Sequence, residues 1–247
     1  VAQLTDRLAA SRTTDSSWKN LYWVGGVAAL ITVLVGIVES SLQALSAGTS
    51  ADTVTVLDWF VLFQSNPFMG LRNMGLLNMG FSAFQIPTYL ALLAAHRKTS
   101  RVWAALATVM ALIGVAVFFG TNRAFPMLDL SNQYALATTD VQRASLVAAG
   151  QAMLSVGQSH TPGTFPAFVF AEAAGLLMAV AMLRGKVFGK VNAYLGIAGF
   201  ALLLVFEVLA SFVWTLDSTA IMLAMLGGLF SSAWFVLAAL RLLRLEH

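Results

Sequence analysis

The chain has 247 residues, 59% of them hydrophobic and only 10% charged, with a mean hydropathy of +0.81. Soluble domains are about half apolar and about a quarter charged, so this composition excludes a soluble enzyme, a disordered chain and a nucleic-acid binder. There is no cysteine, which removes disulfides, thiolate metal sites and cysteine nucleophiles.

Residues 1–20 are polar and carry Asp6, Arg7, Arg12, Asp15 and Lys19. They read as a cytoplasmic segment ahead of a single membrane domain over 21–244, and the first apolar stretch reads as a retained span rather than a signal peptide. Leu245-Glu246-His247 resembles the start of a cloning tag and is set apart from functional reasoning, His247 included. A spanning helix needs about 20 apolar residues. Six segments satisfy this, near 21–45, 68–95, 102–125, 164–183, 191–214 and 218–240. The stretch near 54–63, with Asp58, Trp59 and Phe60, is too short to span and predicts an interfacial helix. A second one is predicted near 139–156, opened by the capping-box pattern Thr139-Asp140-Val141-Gln142 and followed by the breakers Gly157, Pro162, Gly163 and Pro166. The fold class is therefore an all-α, polytopic membrane bundle of six spans with two external interfacial helices. Gly227-Gly228 with Ser231 and Ser232 predicts a close helix approach in the last span.

Basic residues set the orientation. Arg7, Arg12, Lys19, Arg97, Lys98, Arg101, Arg184, Lys186, Lys190, Arg241 and Arg244 fall on one side of this arrangement, 11 of the 14 Lys and Arg. With positive residues inside, both termini are cytoplasmic in an inner membrane, and the net charge of +3 is a topology signal, not a nucleic-acid surface.

Ionisable groups within spans are costly and mark function by default. Glu39, Arg72, Arg123, Glu172 and Glu207 all fall in the outer half of the assigned spans. Helical spacing puts Thr32, Gly36, Glu39 and Gln43 on one face, and Asn78, Ser82, Gln85 and Tyr89 on another that runs into Pro87. Glu207 shares its face with Gly196, Phe200, Leu203, Ser211 and Trp214, and Glu172 with Phe165, Phe168, Gly175 and Ala179. These residues predict an outward-facing polar pocket with aromatic walls. Its ligand-binding set is Glu39, Arg72, Asn78, Ser82, Gln85, Arg123, Glu172, Glu207 and Trp214, with Glu172 and Glu207 as candidate proton donors. One glutamate is expected to pair with Arg72 or Arg123, because an isolated charge in lipid is costly. His96, in a His-Arg-Lys loop, reads as an interfacial or headgroup-facing residue. With so few histidines no metal site is expected, and no cofactor is. Gly80-Phe81-Ser82-Ala83 resembles the nucleophile region of rhomboid proteases only superficially; the second glycine and a late histidine are missing.

Two longer stretches carry a family resemblance. One is Asn66-Pro67-Phe68, Gly70-Leu71-Arg72, Leu76-Leu77-Asn78 and Ile86-Pro87. The other runs from Asn122–Phe125 through Met127-Leu128, Leu130-Ser131, Gln133-Tyr134, Ala137-Thr138-Thr139, Gln142-Arg143 and Ala148–Ala152. It continues to Met182-Leu183-Arg184, Lys186-Val187-Phe188 and Ala193–Gly196. Together they resemble an uncharacterised bacterial multi-pass membrane family catalogued as a domain of unknown function. The resemblance implies a six-helix inner-membrane protein and no particular activity, and it does not extend to Glu172 or Glu207. Because Gln133, Tyr134, Gln142 and Arg143 do belong to it, the outer segment reads as a lid over the pocket, with His160 as a further lid residue.

The leading functional expectation is a protein that binds or moves an amphiphilic small molecule or a lipid in the outward pocket, with membrane lipids as partners. The alternatives are a membrane-embedded enzyme with a buried carboxyl as general acid, by the logic of membrane terpene cyclases, and a structural or partner-binding subunit. Reporter fusions after Lys98 and after Lys186 should both read as cytoplasmic; an external signal at either would overturn the orientation.

Overall fold

The computed structural model describes residues 2–46, 55–157 and 160–246, with side chains described for 18–42, 55–157, 160–213, 215–216 and 218–245. Among the described residues the chain is helical throughout, and no strand interrupts it. The helices are α1 (Ala2–Ser46), α2 (Val56–Ser65), α3 (Pro67–Asn73), α4 (Leu76–His96) and α5 (Arg101–Thr121). They continue with α6 (Ala124–Leu136), α7 (Asp140–Ser155), α8 (Phe165–Gly185), α9 (Lys190–Phe212) and α10 (Asp217–Glu246), with a short 3₁₀ turn at Trp214–Leu216.

Six helical segments are long and apolar enough to cross a membrane, within α1, α4, α5 with α6, α8, α9 and α10. This is a multi-pass integral membrane protein. Each long helix closes its own backbone hydrogen bonds, as hydrocarbon demands. The side chains then decide the arrangement. In contact order the six make a closed ring, α1–α4–α5–α8–α9–α10 and back to α1. Small residues let the helices approach: Ala29, Ala91, Ala104, Ala107, Ala174, Ala181, Ala193, Ala238 and Ala239 are all buried in the main core. At the α9–α10 crossing, a Cβ added to Gly227 would meet the Gly199 carbonyl at 3.1 Å, the close approach that the glycine pair predicts. Tyr89, Met178, Phe200, Trp234 and Phe235 fill the same core. Trp234 packs edge-on against Phe200 at 5.2 Å and Phe235 at 4.8 Å.

The remaining helices form a cap at one end of the ring. Its own core is Val56, Trp59, Phe60, Phe63, Met74, Ala124 and Met127. Both helices expected outside the spans are present: α2 and α7 each begin with a capping box, Thr55 with Asp58 and Thr139 with Gln142. Each box satisfies two backbone donors that a helix start leaves open. The Ser131 hydroxyl donates to the Phe60 carbonyl at 2.9 Å and ties α6 to α2.

Three features differ from the sequence expectation. The segment 68–95 is not one helix: Gly75, at φ +95, adopts the left-handed region that favours glycine and breaks the chain between α3 and α4. Arg72 thus belongs to the cap and not to a span. Residues 124–136 form a further helix, α6, beyond the end near 125 expected for the third span. His96 does not face a headgroup region. It is fully buried, with Nδ1 2.9 Å from the Leu92 carbonyl and its ring stacked on Phe188 at 5.3 Å.

Since the cap has a core of its own, Phe60→Ala should cost about 3–5 kcal/mol in the cap alone. Hydrogen exchange should accelerate across 124–155 while 165–185 stays protected. Acceleration in both would show that cap and ring unfold as one unit.

Candidate functional site

The junction of ring and cap collects the charged groups. Because α8 starts and α9 ends at the cap end, Glu172 and Glu207 lie near the same end of the bundle although they are far apart in sequence. At 1.5 Å per residue, Glu172 is roughly 10 Å into α8 and Glu207 roughly 8 Å from the end of α9. Glu207 is fully buried and Glu172 nearly so.

His160 closes this carboxylate pair from the loop before α8. Its Nδ1 lies 2.6 Å from Glu207 Oε2. The residue sits in the left-handed region, at φ 60, which histidine enters more readily than bulky residues do. Phe168 at 4.2 Å and Phe206 at 4.8 Å clasp the imidazole. Three buried oxygens remain without a hydrogen bond among the described residues: Glu172 Oε2, Glu207 Oε1 and Ser211 Oγ. A buried polar atom without a partner costs stability, so this cluster holds unused capacity for a polar ligand or ordered water.

A second cluster lies across the ring. Arg72 Nε is 4.0 Å from Glu39 Oε2, joining α3 to α1, and Arg72 Nη1 donates to Asn73 Oδ1 at 3.2 Å. One glutamate thus has the arginine partner expected of it. Arg123 does not. It sits in the short link between α5 and α6, 8% exposed; its carbonyl accepts from the Met127 N–H, but no hydrogen bond or ion pair reaches its side chain among the described residues. It lines a cleft of about 30 Å³ between cap and ring, together with Trp59, Asn73, Phe118, Thr121 and Thr164. Phe118 packs edge-on against Phe168 at 5.7 Å, so aromatic contacts connect this cleft with the His160–Glu207 pair.

The other expected site residues are dispersed. Gln85 is buried on α4, whereas Asn78 and Ser82 are only partly so. Trp214 and Gln43 lie outside the described side chains. The lid residues hold the cap together instead of reaching the carboxylates. Gln133 donates to Asp129 at 2.8 Å, Tyr134 packs on Phe60 at 5.2 Å, and Gln142 completes the α7 capping box. Arg143 donates to the Ala137 carbonyl at 3.2 Å and lies over the Tyr134 ring at 5.9 Å. Among them only His160 touches a glutamate. Asn73, Thr164 and Phe206 are absent from the sequence-derived set. The breaker Gly75 was the available signal for Asn73, since a chain reversal there turns residues 67–73 back over the ring. No group of three or more His, Cys, Asp or Glu side chains suited to a metal occurs among the described residues.

The His160–Glu207 contact should be energetically coupled. In a double-mutant cycle, His160→Ala is expected to destabilise by about 1.5–3 kcal/mol, and the same change in a Glu207→Gln background by much less. Equal losses in both backgrounds would show that the pair contributes nothing. No family model, no curated protein and no solved structure matches this chain.

Proposed function

We propose that this is a bacterial inner-membrane protein, with both termini cytoplasmic and the cap outside, that binds or moves an amphiphilic small molecule or a lipid. The reading takes the family resemblance of the sequence as its setting and the ring–cap junction as its site. The observation that carries it is the set of buried polar atoms left without partners there, Glu172 Oε2, Glu207 Oε1, Ser211 Oγ and Arg123 Nε. Helix-fastening interactions satisfy one another; these do not. An amphiphile supplies both needs of such a junction, polar atoms for the unpaired groups and an apolar body for Phe118, Phe168 and Phe206.

A second reading rests on the carboxylate pair alone. Glu172 and Glu207 are buried carboxyl groups near one end of the bundle, and a carboxyl in apolar surroundings suits a general acid acting on an apolar substrate. Chemical change in the retained molecule, against simple retention, separates the two.

Native mass spectrometry of the protein in mild detergent tests the proposal. The wild type should carry a co-purified amphiphile, and Glu172→Gln should lower its retention roughly ten-fold or more, the equivalent of one hydrogen bond to a charged group. Unchanged retention with a lowered unfolding temperature would make the glutamates helix fasteners and refute the reading.

A further inference from the structure

We propose that the cleft between cap and ring is a binding site for a compact anionic group, a phosphate or carboxylate, held by Arg123. Arg123 as a residue is 8% exposed, its Nε is buried without a partner, and it lines the cleft. No carboxylate lines the cleft with it. The neighbouring polar side chains have already committed their groups. Asn122 accepts from the Ala124 N–H and donates to the Met74 carbonyl. Thr121 donates to the Val117 carbonyl and Thr164 to the Thr161 carbonyl. Arg72, the other buried cation of the cap, is occupied by Glu39 and Asn73. Arg123 is therefore a largely buried cation to which the described residues offer no counter-ion, and an anion from outside the chain would supply one.

The dimensions select the ligand's size. About 30 Å³ of free space corresponds to two or three water positions, room for a small anion or a headgroup phosphate. The planar fork of an arginine matches phosphate and carboxylate oxygens in a bidentate manner. Phe118 lines the cleft from the ring and Trp59 from the cap. A headgroup entering from lipid would leave its chain against the aromatic series Phe118–Phe168. Only this choice of source, a lipid headgroup rather than a free ion, rests on the amphiphile reading above; the anion chemistry of the cleft stands without it.

The test is the unfolding temperature of the full chain in nanodiscs of dioleoylphosphatidylcholine, with and without 30 mol%, roughly, of dioleoylphosphatidylglycerol, and separately with inorganic phosphate against chloride at equal ionic strength. At saturation the phosphatidylglycerol should raise the wild-type unfolding temperature by roughly 5 °C or more. Arg123→Gln should lose most of that gain and Arg123→Lys should keep part of it. If Arg123→Gln fails to fold, Asn73→Trp, which obstructs the cleft from an exposed position and leaves the arginine in place, should abolish the gain instead. A response to phosphatidylglycerol alone supports a headgroup site. An equal response to inorganic phosphate supports the anion site with a soluble ligand and withdraws the lipid source. No response to either, or an undiminished response in Arg123→Gln and Asn73→Trp, overturns the proposal. Because the amphiphile reading is tested at Glu172, the two can fail independently.

Discussion

An ionised side chain surrounded by helices in hydrocarbon must find an opposite charge, a hydrogen-bond donor, a proton or water, since leaving it bare costs several kcal/mol. The arrangement of this protein's cap end follows from how five such groups meet that demand. Glu39 and Arg72 satisfy each other across α1 and α3. Glu207 takes one bond from His160. Glu172 and Arg123 keep polar atoms for which the described residues offer nothing. The two halves of the problem are of opposite sign and are held apart, with Phe118 and Phe168 between them.

The cap exists because the ring needs a cover at this end. Its helices are too short to span, but they share a core of Trp59, Phe60, Phe63 and Met127 that can order them over the mouth. That core fixes α6, and the start of α6 fixes Arg123. The loop between cap and α8 in turn delivers His160 to Glu207. Packing in the cap and electrostatics in the ring are thereby linked through two short connections. Further down the ring Tyr89, Phe200 and Trp234 fill the interior, while the buried carboxylates and arginines gather near the cap.

Much of this was legible in the sequence because its causes are local. Six apolar runs of sufficient length declare the spans, and the Thr139–Gln142 capping box marks the start of α7. The glycine pair at 227–228 anticipates the α9–α10 crossing. What was missed depends on tertiary context. Residues 67–73 continue the apolar character of 76–96, so hydropathy alone reads through Gly75, whose left-handed backbone is the only local sign of the break. Helix α6 has no side-chain cap to announce its start, and Ser131 and Met127 hold it to the rest of the cap. His96 sits in a basic tripeptide, which reads as surface, yet Phe188 from a distant loop covers it. The acidic and basic site residues could be named from their rarity in spans, whereas their pairing required the helix order of the ring. Arg72 with Glu39 and His160 with Glu207 are two of many combinations that the sequence permits.

The central claim is that the ring–cap junction is completed by a molecule from outside the chain. A cryo-electron microscopy map of the protein in nanodiscs of native lipid, at a resolution that separates waters from headgroups, tests it most directly. The account predicts continuous density with a compact head against Arg123 and an elongated body along Phe118 and Phe168. Discrete ordered waters bonded to Arg123, Glu172 and Glu207, with no larger density between cap and ring, would contradict it.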